Sequence, residues 1–94
     1  MFIVVHHTIT DPETAFARGQ NLLDGNGAPS GVQVREFYPI RDTADVFCLW
    51  EGSSLADVRD YVDATMGDSS RQAYFEVDAG TARGLPERAA SRAF

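Results

Sequence analysis

Lysine is absent from the 94 residues, and all eight basic side chains are arginines. Against fourteen carboxylates they leave a formal charge of −6. The basic stripe that dense phosphate contact requires is therefore missing, and nucleic acid is not an expected partner. Cysteine occurs once, at Cys48. One thiol excludes an internal disulfide framework and a four-cysteine zinc site, and it suits a reducing compartment. Long apolar runs are missing too: Met1-Phe2-Ile3-Val4-Val5 is followed at once by His6 and His7. That stretch is too short and wrongly flanked for a signal peptide or a membrane span, so the expected location is cytoplasmic, with no membrane partner. Gly25-Asn26-Gly27 lacks the strand and Lys/Ser context of a phosphate-cradling loop, and no zinc-protease motif occurs. Neither a nucleotide nor a flavin is expected.

What remains is a single domain's worth of ordinary globular composition, 44% hydrophobic and 11% aromatic. A chain this short buries only about 60–65% of its unfolded surface, so a partner subunit is a natural source of further burial. Residues 2–9 are rich in β-branched side chains and predict a strand covered on both faces. Thr10 and Glu13 are spaced as a capping box with Pro12 in the first turn, and Ala15, Phe16, Gly19, Leu22 and Leu23 share one face of a helix ending near Asp24. Residues 25–31 form a loop by composition. Residues 32–39 alternate as a strand, and Pro39 favours an edge position or a strand end. The apolar run 46–50 reads as a central strand. Ser53 or Ser54 caps a second helix built on Leu55, Val58, Val62 and Thr65/Met66, which Gly67 stops. A fourth strand runs from Gln72 to Val77, with Phe75 and Val77 on one face and Tyr74, Glu76 and Asp78 on the other.

Strand, helix, strand, strand, helix, strand is the split βαβ arrangement of an α+β, ferredoxin-like βαββαβ domain with a four-stranded antiparallel sheet in the order 4-1-3-2. The domain is assigned to residues 1–79. Residues 80–94 form a mildly basic tail in which Pro86 opens a short helix. Both helices cover one face of the sheet and leave an apolar face bare, which a second subunit packing sheet to sheet would hide.

The His6-His7 pair, the run Cys48-Leu49-Trp50-Glu51 before the second helix, and the strand near Phe75-Glu76-Val77 resemble the dimeric α+β barrel superfamily. Within it, the likeness is to small bacterial proteins, some described as nickel-binding. The resemblance implies a homodimer in which each subunit encloses a small cavity. The superfamily also holds cofactor-free monooxygenases, haem-degrading enzymes, chlorite dismutases and muconolactone isomerases, so membership does not choose a chemistry. The haem-binding branch would want a histidine on a helix or the loop after it. Neither helix has one, and haem is not expected.

His6 and His7 lead the candidates because imidazole is the commonest transition-metal ligand and the usual acid or base at neutral pH. In a regular strand they point to opposite faces. With Ile3 and Val5 under the helices, His6 faces the open side among aromatics and His7 lies on the helix side or near the strand end. The metal candidates are His6, His7, Glu36 and Cys48, for nickel or zinc, with the site completed by other strands or the partner subunit. A lone cysteine in an apolar strand is more often a small buried hydrophobe. Glu36, Tyr38, Trp50, Glu51, Tyr74 and Glu76 are strand residues from which the lining of an open-face cavity would be drawn; with His6, all but Glu51 form the ligand-binding set. Tyr and Trp there suit a small aromatic or polyketide-like ligand. The leading expectation is a cytoplasmic homodimer that binds a metal ion or small ligand in the cavity between sheet and helices, without evident catalysis. Its rival is a cofactor-independent monooxygenase or isomerase, with His6 as base and Tyr38 or Trp50 orienting the substrate.

Overall fold

The computed structural model describes residues 1–87. Its elements are β1 (Phe2–Ile9), α1 (Pro12–Asp24), β2 (Gln33–Pro39), β3 (Asp45–Glu51), α2 (Leu55–Met66) and β4 (Ser70–Glu76), with one 3₁₀ turn, Gly67–Ser69, between α2 and β4. The strands form one sheet in the order β2-β3-β1-β4, and every neighbouring pair is antiparallel. This is the α+β, ferredoxin-like topology that the element order predicts. The most apolar strands, β1 and β3, are central, and the Pro39 strand is an edge.

Local chemistry sets the ends of the helices. Asp11 is the N-cap of α1 and its side chain accepts from the Thr14 N–H. Thr10, expected in that role, instead donates its hydroxyl to the Asp68 carbonyl. Gly25 closes α1 at φ 76°, a left-handed conformation that costs glycine nothing. Ser54 caps α2 through the Asp57 N–H.

The core lies between the sheet and the helices. Ile3, Val5, Trp50, Val58 and Val62 are its most deeply buried apolar side chains. Trp50 meets Tyr61 edge-on at 6.0 Å between ring centres, and the Tyr61 hydroxyl donates to the Asn26 carbonyl, tying α2 to the loop after α1. β1 alternates as predicted: Ile3, Val5 and His7 are buried, whereas Val4, His6 and Thr8 are partly exposed on the open face.

Two expectations about faces are overturned. In β4, Tyr74 pairs with Val5 and Glu76 with Ile3, while Phe75 pairs with Val4. Residues directly opposite share a face, so Tyr74 and Glu76 lie on the helix side and Phe75 on the open side. The tyrosine goes under the helices because its hydroxyl finds the Asp63 carboxylate of α2 at 2.5 Å. Phe75 stays 56% exposed. Phe16, expected in the α1 core stripe, is 72% exposed; Ala15 and Leu22 are the residues α1 buries.

β2 carries a further irregularity. The register shifts between Val34, opposite Trp50, and Glu36, opposite Leu49. The extra residue, Arg35, donates to buried Glu51 at 2.6 Å. The tail helix expected to open at Pro86 falls on residues 88–94, which lie outside the described residues. Among the described residues, no helix is long and apolar enough to cross a membrane.

Candidate functional site

α1 packs against α2 and buries Ala15 and Leu22 in the core it shares with the sheet. It turns small residues, Ala15 and Gly19, toward the space left beneath it. That space is a cavity of about 700 Å³ between α1 and the β2-β3 side of the sheet, within the range of small-molecule sites. Phe16 and Leu23 of α1, Phe37 and Pro39 of β2, and Val46 and Cys48 of β3 line it. Its wall is largely apolar, with Asp42, Thr43 and Asp45 on the β2-β3 turn. A Cβ added at Gly19 would meet nothing within 4 Å.

His7, from β1, is also part of this wall. It is 3% exposed, and its ring is held by a chain of hydrogen bonds whose polarity can be read from one end. Asp63 of α2 accepts from the Gln72 side-chain amide N–H at 3.2 Å. A carboxylate only accepts, so this contact fixes which end of the Gln72 amide is oxygen. That oxygen accepts from the Ser70 hydroxyl and faces His7 Nδ1 at 3.3 Å. Nδ1 is therefore the protonated nitrogen, and Nε2 carries the lone pair. Nε2 is buried without a hydrogen-bond partner. Burial lowers the imidazole below its ordinary 6.5; the His6 charge acts the same way, while the Gln72 hydrogen bond and Asp63 oppose it. The ring is neutral at pH 7.

The remaining sequence candidates divide between the two faces of the sheet. His6 is on the open face, opposite and stacked on Phe47 at 4.5 Å, with Nε2 2.9 Å from the Asp45 carboxylate. Glu36 and Tyr38 are opposite Leu49 and Phe47 and so share that face. Tyr38 is 53% exposed, and the Glu36 carboxylate raises its phenol above the ordinary value. Trp50 is core, 1% exposed, and not part of the cavity wall. Tyr74 packs toward α2; burial first, then Asp63, raises its phenol above the ordinary range. Glu76 is exposed beyond it on the edge strand. Cys48 lines the cavity, but burial pushes its thiol up to about 12, with the Trp50 indole opposing weakly. A buried thiol of that kind is a poor nucleophile.

The four candidate metal ligands therefore do not meet. His6 and Glu36 lie on one face, His7 and Cys48 on the other. No group of three or more His, Cys, Asp or Glu side chains among the described residues is placed to hold a metal ion.

The cavity lies between sheet and helices, not on the open face from which the lining residues were drawn. Its position under α1 gives the wall histidine role to His7 and leaves His6, Glu36 and Tyr38 outside it. Phe37, Val46, Gly19 and Gln72 are not among the candidate site residues from the sequence; Gly19 reads there as part of a core-facing helix stripe, and the others only as strand residues. For Gly19 a signal existed: a glycine in mid-helix on the apolar face costs helix stability and calls for a packing reason. Comparison with protein-family models, with curated proteins and with solved structures finds no match.

Proposed function

We propose that this chain is a small cytoplasmic homodimer that binds a compact apolar molecule in the cavity between α1 and the sheet. The observation that carries the reading is the cavity itself, about 700 Å³, open to solvent and walled mainly by apolar side chains. An apolar ligand seated there would withdraw that wall from water. The homodimer follows from the open face, where Phe75, Tyr38 and Phe47 remain exposed.

Gly19→Leu tests the site. The new side chain enters the cavity with no clash at its Cβ. Isothermal titration with 1-naphthol should show binding to the wild-type protein and at least tenfold weaker binding to Gly19→Leu. Equal binding by both would place the ligand elsewhere and sink the reading.

Metal binding is the other form of this reading. Because the candidate ligands are split between faces, nickel or zinc would need His6 and Asp45 of one subunit together with ligands from its partner across the open face. Equilibrium dialysis of wild type and His6→Ala reads this directly. The enzymatic alternative, a cofactor-independent monooxygenase or isomerase, draws support from one feature: His7, a residue of the cavity wall, keeps an unprotonated nitrogen that could act as a base once a ligand parts the side chains covering it. His7 would then hold the role first given to His6.

A further inference from the structure

We propose that the molecule received by the cavity carries a hydroxyl donor, phenolic or enolic, and that His7 Nε2 is its acceptor. This rests on the binding reading above and adds the chemical class of the ligand.

The argument begins with the orphaned nitrogen. His7 is 3% exposed, and Nε2 has neither a protein partner nor surface open to water. Buried polar atoms are nearly always paired, and one left unpaired calls for an explanation. An ordered water is a poor one. On its face of the sheet, His7 has Val5 and Ile9 along its own strand and Val46 opposite, and its hydrogen-bond partner, Gln72, is already bonded to Nδ1. A water at Nε2 would lack the other partners of the roughly three that buried waters make. A metal ion is a poor explanation as well, since among the described residues no group of three or more ligating side chains converges there. A hydroxyl on an apolar body needs one acceptor only, and the cavity wall supplies the apolar remainder. Such a ligand reaches Nε2 by parting the side chains that cover it.

The second strand of the argument is that the tautomer is imposed from outside the cavity. Asp63 orients Gln72, Gln72 orients His7, and the Ser70 hydroxyl binds the same Gln72 oxygen. Fixing the proton on Nδ1 leaves Nε2 able only to accept. The site therefore selects donors and rejects groups that can only accept. Gln72 and Asp63 are positioning residues, because they act through the His7 ring.

Three probes of one shape separate the possibilities: 1-naphthol, which donates; 1-methoxynaphthalene, which only accepts; and naphthalene, which does neither. Titration of the wild-type protein should show 1-naphthol binding about tenfold more tightly than either of the others, the equivalent of one hydrogen bond to a buried group. In His7→Leu the three should bind alike. In the wild-type protein, ¹⁵N-detected NMR of the imidazole should show hydrogen on Nδ1 and a bare Nε2, and Gln72→Leu should give a mixture of tautomers. Naphthalene binding as tightly as 1-naphthol, or hydrogen on Nε2, overturns this inference and leaves the cavity reading intact. Failure of all three probes to bind the wild-type protein overturns both. The probe comparison and the tautomer are read on the wild type, so a variant that fails to fold does not blunt the test.

Discussion

His7 shows at the scale of one residue how burial sets chemistry. Its imidazole is lowered below 6.5 in the folded protein, mainly by burial. Between that lowered value and 6.5 the unfolded chain binds the proton more readily than the native state, so stability rises with pH there. The His7 contribution is complete above 6.5 and is lost as pH falls through 6.5 toward the lowered value. Thermal unfolding followed from pH 7.5 to 5 should show a falling midpoint, and His7→Gln should reduce that slope; an unchanged slope would show that His7 is not responsible. Cys48 makes the companion case. With its thiol near 12, it should resist a thiol reagent such as DTNB in native buffer at pH 8 and react fully in denaturant. Rapid native labelling would contradict the burial. Arg35 and Glu51 form the third case, a pair 2.6 Å apart with both side chains largely withdrawn from water. Arg35→Ala should cost about 1.5–3 kcal/mol, the loss of a hydrogen bond to a buried charged group, measurable by urea denaturation.

Among the elements, α1 is the most instructive, because it trades its own stability for space. Glycine in a helix interior costs about 1 kcal/mol relative to alanine, and Gly19 occupies such a position facing the cavity. Gly19→Ala should therefore raise stability by about 0.5–1 kcal/mol, and Gly19→Leu should add burial to that gain. A more stable protein that binds less well would be the mark of a helix shaped for the cavity. The junction of β3 and α2 behaves oppositely. A Cβ at Gly52 would come within 2.7 Å of Val58 Cγ2, and Val58 is fully buried, so Gly52→Ala should destabilise by about 1–3 kcal/mol through overpacking.

The whole molecule has two unlike faces. One is sealed by helices except at the cavity; the other exposes Phe75, Tyr38 and Phe47 around the His6-Phe47 stack. For a 10.3 kDa chain, a second copy packed on that face would add the burial that its own core cannot. Sedimentation equilibrium at micromolar concentration should give twice the chain mass, and Phe75→Glu should shift it toward monomer. A wild-type monomer would end the dimer reading.

The sequence by itself determined the order of elements, the central place of β1 and β3, and the alternation that buries Ile3, Val5 and His7 and exposes His6. These are local consequences of period-2 patterning, β-branched side chains and the breakers Gly25, Pro39 and Gly67. It did not determine which face of β4 meets the helices, because Tyr74 and Phe75 are adjacent and nearly equal in bulk. That choice was made by Asp63, eleven residues away in sequence and on another element. Nor could alternation anticipate the bulge at Arg35, which depends on a charge partner across the strand. The cavity was least legible of all. Its wall is drawn from α1, β1, β2, β3 and the turn between β2 and β3, which no local pattern brings together. Only that tertiary arrangement decided that His7, rather than His6, belongs to the candidate site.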